Sequence, residues 1–392
     1  MSFKITGNNL YKIFGESPAE ALVLLGEGKS KDQIFEQTGQ TVGVNGVSFN
    51  VAEGEIFVVM GLSGSGKSTL VRMINGLIRP SAGEILIDDI DVAACSANDM
   101  RQIRREKVAM VFQHFALLPH KTVAQNVAFG LKIRGVNSAD CRERAMKALA
   151  QVGLGARADS YPDELSGGMQ QRVGLARGLA SEPEILLMDE PFSALDPLIR
   201  ADMQQELLEL QRSLKKTIVF ITHDLNEALT LGNTIAIMRN GSIVQTGAAQ
   251  EIVGKPVDDY VSAFVRDIDR SLVFTSQSIA QPAETLDLEH ADAHSALRHM
   301  DRLKRHAVHV VDKGRLAGII TYRSANDLVR NGGQLADAIQ TDFPLVRPET
   351  RLFDLYHLAQ RGLPIALTDD ADRLVGVVEP KAIFAQLANG KA

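Results

Sequence analysis

Short, unbroken apolar runs set the texture of the first two thirds of the chain. Ile56-Phe57-Val58-Val59-Met60 follows Glu55, and Ile185 to Met188 and Thr217 to Thr222 are apolar on both faces. Such runs belong to strands covered on both sides in a parallel sheet. Ala201 to Leu214 carries Leu207, Leu210 and Leu214 on one side, which predicts a crossover helix between the last two. Leu10 to Gly15 reads as a short strand ending in a turn, and Val44 to Val51 alternates apolar and polar in strand fashion. Between them Pro18 to Thr38 reads as two short helices, with Ser30 and Gln33 as a capping box and Gly39 as the stop. A helical segment thus interrupts a β region, and the pattern gives it no purpose.

Glu84 to Asp88 and Lys107 to Phe112 read as further strands, the second ending at Gln113. Val123 to Gly153 lacks strand character, and Ala145, Met146, Leu149 and Val152 recur at helical spacing, so this stretch is a helical insert. Thr234 to Met238 and Ser242 to Gln245 form a hairpin about Asn240-Gly241. Beyond residue 276 the texture changes. Leu316-Ala317-Gly318-Ile319-Ile320 recurs as Leu374-Val375-Gly376-Val377-Val378, and Asp312 and Arg315 recur as Asp370 and Arg373, an internal pair of strand-helix units.

At 392 residues the chain is too long for one ordinary domain. A net charge of -6 gives no reason to expect nucleic acid as the partner. Cys95 and Cys141 stand in no metal-like spacing and read as reduced thiols. The opening Met1 to Asn8 has no apolar core of a secretion signal, and no run approaches the roughly 18 apolar residues of a membrane span. Work at a membrane would require other chains to do the crossing.

GLSGSGKST, Gly61 to Thr69, fits G-x-x-x-x-G-K-S/T in full, between the strand at Ile56 to Met60 and a helix beginning at Leu70. Strand, glycine loop and helix together make a phosphate cradle in which backbone N–H groups turn inward. Ser63, Ser65 and Thr69 belong to that cradle with Gly61, Gly64 and Gly66; Lys67 reaches the terminal phosphates and Ser68 takes a place on Mg²⁺. Asp189 and Glu190 end a buried strand, where open α/β sheets place ligands. There Asp189 would hold Mg²⁺ through water and Glu190 would deprotonate the attacking water. Ser166, Gly167 and Gly168 open another helix and form a second anion site.

In the order GLSGSGKST, Gln113, LSGGMQQR, ILLMDE, SALD and His223, the chain resembles the ATP-binding cassette ATPases over residues 1 to 265. The resemblance implies an α/β nucleotide-binding core with an antiparallel β subdomain and a helical subdomain. It implies a head-to-tail homodimer with each ATP held between Gly61 to Thr69 of one copy and Ser166 to Gly168 of the other. Gln113 would sense Mg²⁺ and the attacking water, His223 would contact the γ-phosphate, and Asp196 would lie at the dimer seam. Adenine would stack on Phe14, with Tyr11 as the fallback because the insert breaks the usual spacing. Soluble cassette ATPases working on DNA or ribosomes usually carry two cassettes or a long coiled coil, and no sustained heptads lie between Lys67 and Ser166.

Three stretches narrow the resemblance to the ATPase subunit of glycine betaine/proline betaine importers: the inserted helices, the run Phe112-Gln113-His114-Phe115-Ala116-Leu117-Leu118-Pro119-His120, and Ser193 to Arg200. The implied partners are an integral membrane permease and, through it, a periplasmic or lipid-anchored substrate-binding protein, at the cytoplasmic face of the membrane. Phe115, Leu117 and Leu118 would meet the permease or fill the core. Choline, carnitine or an amino acid is the alternative cargo. After a linker at 266–278, residues 279–392 resemble tandem CBS modules, an α+β pair. There Gly318, Thr321 and Asp327 match a pattern that holds an adenine nucleotide, whereas the second copy, with Glu379-Pro380-Lys381, departs from it. A basic cluster of Arg298, Arg302, Lys304, Arg305, Lys313 and Arg315 is either a solvated face or a contact for an anionic membrane, and the pair either senses or only scaffolds a dimer.

Overall fold

The computed structural model describes residues 3–113 and 115–388, so Met1, Ser2 and His114 lie outside the described residues. Its contacts divide the chain into two units, Met1–Val265 and Arg266–Ala392.

The first unit begins with a long hairpin. Strand β1 (Phe3–Phe14) pairs antiparallel with β2 (Thr41–Ala52), and helices α1 (Pro18–Gly26) and α2 (Lys31–Thr38) fill the connection. The strand starts well before Leu10, because Ile5 and Leu10 both turn into the core across an irregular register. The capping box forms as the sequence suggests: Gln33 N–H donates to Ser30 Oγ, and Gly39 ends α2 in the left-handed region at φ 68°. Ile34 and Ala21 bury against Ile13 and Val42, so the insert rests on the hairpin through its own small core.

Strand β3 (Ile56–Met60) leads through the glycine loop into α3 (Lys67–Ile74). Then come β4 (Ala82–Ile87), β5 (Ile90–Asp91), α4 (Ala97–Glu106), which the sequence pattern did not reveal, and β6 (Val108–Phe112). The helical insert is α5 (Val123–Val127), α6 (Phe129–Ile133), α7 (Ser138–Gln151) and α8 (Gly167–Leu179). Next are β7 (Ile185–Asp189), α9 (Pro197–Leu214), β8 (Thr217–Thr222), α10 (Leu225–Leu231), β9 (Thr234–Arg239) and β10 (Ser242–Gly247). Helices α11 (Ala249–Gly254) and α12 (Asp259–Val265) close the unit.

Two sheets result, a four-stranded one in the order β2-β1-β4-β5 and a six-stranded one in the order β10-β9-β3-β8-β7-β6. The second is parallel except for its terminal hairpin. Side chains of both sheets and α3 share one core, in which the Phe49 and Phe57 rings stack at 5.6 Å. Burying a ring such as Phe57 contributes about 2–3 kcal/mol. In the register of this sheet Met60 stands beside Thr222, Asp189 beside Ile221, and Phe112 beside Asp189. The residues that follow, Gly61, His223, Glu190 and Gln113, therefore leave a single row of strand ends.

The second unit opens with α13 (Ser276–Ile279) and contains two copies of one pattern. The first is β11 (Thr285–Asp287), α14 (Ala293–Leu303), β12 (Ala307–Asp312), β13 (Arg315–Thr321) and α15 (Tyr322–Asn331). The second is β14 (Leu345–Val346), α16 (Tyr356–Ala359), β15 (Ile365–Thr368), β16 (Leu374–Val378) and α17 (Pro380–Ala388). Each sheet joins a parallel pair to an antiparallel pair, and each antiparallel pair is irregular just before its glycine, Gly318 or Gly376. Asp312 faces Arg315 across the first turn, but in the second copy Asp369 rather than Asp370 pairs with Arg373.

One expectation needs correction. The stretch 266–278 is no free linker: Phe274 is buried, and Ser276 Oγ donates to Arg347 O at 2.8 Å. In the basic cluster Arg298, Arg302, Lys304, Lys313 and Arg315 are exposed, Arg302 beside Glu284, and only Arg305 is largely covered, its Nε 2.8 Å from Glu379 Oε1. Arg305 thereby fastens the first copy to the second instead of facing solvent.

Candidate active site

The glycine loop is shaped by close backbone approach. At Gly61, φ is 153° and a Cβ would come 2.3 Å from Met238 O; at Gly66, φ is 102° and a Cβ would come 2.3 Å from Gly43 O. Side chains are excluded at both positions. Gly66 also serves as the N-cap of α3 without a side-chain cap, so the first N–H groups of that helix are left for a ligand.

Lys67 is buried and its Nζ donates to Gly61 O at 2.9 Å and Leu62 O at 3.0 Å. Burial lowers its pKa, against the raising effect of the Glu190 and Asp189 carboxylates. Ser68 Oγ donates to Asp189 Oδ1 at 2.8 Å, and Arg72 Nη2 lies 3.8 Å from Oδ2 of the same carboxylate. Glu190 Oε1 stands 3.9 Å from Lys67 Nζ, while its Oε2 is 2.9 Å from His223 Nδ1. The Glu190 backbone is left-handed at φ 48°, held by its N–H to Ile221 O and by Ser193 Oγ to its own carbonyl. A non-glycine residue kept in that region costs of order 1 kcal/mol or more, and such outliers gather at functional sites.

These groups line a cavity of about 310 Å³ that includes Ser63, Lys67, Ser68, Thr69 and Glu190. Phe14, 41% exposed, lines the same cavity, and Lys12 lies over its ring. Tyr11 is not in the lining; its hydroxyl is beside Gly46. Of the two aromatic candidates, only Phe14 lies in the cavity wall. Ser65 is buried in the loop, and its hydroxyl finds no partner among the described residues. Two slightly larger hollows, about 380 and 370 Å³, lie beside α7 and α9, with the pairs Arg172–Glu206 and Lys147–Glu182 in their walls.

Five expected site residues, Gln113, Ser166, Gly167, Gly168 and Asp196, stand away from the cavity wall. Gln113 is exposed in the bend after β6, and Ser166 and Gly167 are exposed at the start of α8, with Ser166 Oγ accepting from Met169 N–H. Asp196 caps α9 through Ile199 N–H at 3.1 Å. Gly168 is buried, and a Cβ there would meet Ile199 at 2.4 Å, so α8 and α9 touch at the second anion site. Phe115 packs near Gly167, and Arg177 donates to Phe115 O and Ala116 O, tying the segment after Gln113 to α8.

Sequence reasoning missed three contributors. Arg72 stands one helical turn beyond Ser68, a spacing that could have revealed it. Thr222, Glu227, Arg200 and Asp224 form a network behind His223, in which burial raises the Glu227 pKa and Thr222 Oγ donates to its carboxylate at 2.6 Å. Lys31, from the inserted α2, also lines the cavity.

The sequence pattern of the ABC transporter family matches residues 44–193. The glycine betaine/proline betaine transport system ATP-binding protein ProV of Escherichia coli K12 is 47% identical over 99% of this chain and 98% of its own. The chain belongs to the ABC transporter family. Its first unit is an ATP-binding cassette ATPase. The glycine betaine transport ATP-binding protein OpuAA of Bacillus subtilis is 46% identical over 98% of this chain and 92% of its own. Among solved structures, a dimeric ATP-binding cassette in a post-hydrolysis state with ADP and Pi superposes with TM-score 0.53 at 32% identity, covering 62% of this chain and 98% of that one.

Proposed function

We propose that this chain is the ATP-hydrolysing subunit that energises a membrane importer for glycine betaine, proline betaine or a related quaternary amine. The observation that carries the cargo is the length of the likeness: relatives named for betaine transport match through both units, whereas a methionine-import relative is similar over 58% of the chain. A relative named for glycine betaine and carnitine matches equally far and keeps carnitine as the second reading. Among the described residues no helix is long and apolar enough to cross a membrane, which supports a peripheral subunit on the cytoplasmic face beside a separate permease.

In the proposed reaction Glu190 takes a proton from the attacking water, and His223, 2.9 Å from its carboxylate, orients it and contacts the γ-phosphate. Lys67 leaves the loop carbonyls for the terminal phosphates, whose negative charge offsets the burial that now lowers its pKa. Ser68 Oγ and Asp189, two hard oxygen donors 2.8 Å apart, fit Mg²⁺: Ser68 would hold the ion directly and Asp189 through water. The ion would neutralise charge on the phosphates. No group of three or more His, Cys, Asp or Glu among the described residues forms a metal cage, in keeping with an ion that arrives with nucleotide.

Ser166, Gly167, Gly168 and Asp196 stand outside the cavity of their own chain, which supports a head-to-tail dimer in which a second copy supplies them. Gln113 would then report the γ-phosphate to the segment of Phe115, Leu117 and Leu118, on which the permease acts. The second unit, with its repeated fold, is proposed as a tandem CBS pair; Thr321 caps α15 and Asp327 lies on that helix, where an adenine nucleotide would be held. Reconstitution with the permease and its binding protein tests the whole reading. Uptake of labelled glycine betaine should require ATP and cease with Glu190→Gln, and a complex that hydrolyses ATP only with another solute would reassign the cargo.

A further inference from the structure

The inserted helices bring a cation to the nucleotide cavity. Lys31 is half-buried and shares the wall with Phe14, Thr41 and the loop residues Ser63 and Thr69. Its position works against helix stability, because it occupies the first helical place of α2, directly after the Ser30 cap, where the dipole disfavours positive charge. Among the described residues its ammonium makes no ion pair or hydrogen bond. The scaffold beneath it is nevertheless fixed, by the Ser30–Gln33 capping box and by the packing of Ile34 on Ile13 and Val42. An unpaired cation held beside a cradle for anions, in a place its own helix disfavours, is complemented by a negatively charged ligand.

We propose that Lys31 is a nucleotide-binding residue, donating its ammonium to the α-phosphate end of the nucleotide while Lys67 holds the terminal phosphates. The inference rests on the reading of the cavity as the ATP site. Phe14 marks the adenine end and the Lys67–Glu190 pair marks the hydrolytic end; Lys31 comes from the chain segment that joins Phe14 to Thr41, so it belongs to the adenine end. An α-phosphate is common to ATP and ADP. The insert thus raises affinity for both nucleotides alike and does not select between them.

The test is displacement of a fluorescent ATP analogue from the full chain by ATP and by ADP. Lys31→Gln is expected to weaken both about fivefold, as befits one charge-assisted contact in a partly open site, and the loss should shrink as salt rises. Lys31→Arg should restore both. Unchanged affinities in Lys31→Gln while Phe14→Ala is weakened would overturn the role of Lys31 and leave the ATP site standing. Loss for ATP alone would overturn the α-phosphate assignment, and failure of Lys31→Arg to rescue would show that charge is not what the residue supplies. Unaltered binding in Lys67→Ala as well would instead refute the reading of the cavity.

Discussion

Replacing Glu190 by glutamine keeps the side-chain volume and removes the carboxylate from the cavity wall, so it separates binding from chemistry. Glu190 Oε1 is 3.9 Å from Lys67 Nζ and its Oε2 is 2.9 Å from His223 Nδ1, which leaves the group between the phosphate-holding lysine and the histidine. Loss of a general base typically costs 10²–10⁴ in rate, about 3–5 kcal/mol of barrier. Binding responds in the other direction. A carboxylate roughly 6 Å from a phosphate charge repels it by about 3 kcal/mol at an effective dielectric constant of ~20, and water and salt reduce this to about 1 kcal/mol. The same substitution removes a charge that supports the Lys67 ammonium, so the two effects partly offset. ATP affinity should stay equal or tighten by up to about fivefold. Single-turnover phosphate release beside equilibrium ATP binding on the same preparation reads both quantities. A variant that binds ATP normally and still releases phosphate within tenfold of the parent rate would refute Glu190 as the base, and clearly weakened binding would refute the electrostatic account.

Gly66→Ala should reduce ATP affinity at least about tenfold and destabilise the first unit by roughly 1–3 kcal/mol, because the new Cβ meets Gly43 O at a left-handed position; binding titration and urea unfolding check the two effects. Arg305→Ala should cost the second unit about 2 kcal/mol in urea unfolding, since it strands the Glu379 carboxylate, 13% exposed, between the two copies. His309 is buried on β12 and its pKa is lowered by burial, with a smaller push from Arg305, to about 4 from 6.5. As pH falls below 6.5 the unfolded chain takes the proton first, so stability present above 6.5 is lost as pH falls towards 4. At pH 5 the loss is about 2 kcal/mol, and His309→Leu should flatten the unfolding midpoint between pH 7 and 5; an unchanged slope would remove His309 as the cause.

The row of strand ends was legible because apolar runs covered on both faces can only end at polar residues where the sheet stops. Gly61, Gln113, Glu190 and His223 each follow such a run, and the register aligns them. The glycine loop was legible for a different reason: only glycine tolerates the approaches at Gly61 and Gly66. What stayed hidden depends on which tertiary neighbour a face meets. The periodicity of α4 is diluted by its many charges, with only Met100 and Ile103 buried. The segment 266–278 lacks a periodic pattern, yet Ser271, Phe274 and Ser276 bury against partners distant in sequence. Arg305 looked like part of the charged surface because its partner, Glu379, lies more than 70 positions away.

The distribution of unmet polar groups says more about the working assembly than the cavity does alone. Within one chain the cavity already gathers the buried Lys67, Glu190 on its left-handed backbone and the Phe14 ring. Ser166, Gly167 and Asp196, by contrast, are exposed caps whose hydrogen bonds serve only their own helices. In the proposed head-to-tail dimer, binding and hydrolysis would therefore be separable: the first would belong to the chain, and the second would await a second copy that brings the start of its α8 over the phosphates. Gly168 lies against Ile199 and Arg177 bonds the carbonyls of Phe115 and Ala116, so the start of α8 is joined by direct contacts to the segment proposed to meet the permease. A load on the permease side would thus be felt at the γ-phosphate, which is the coupling an importer requires.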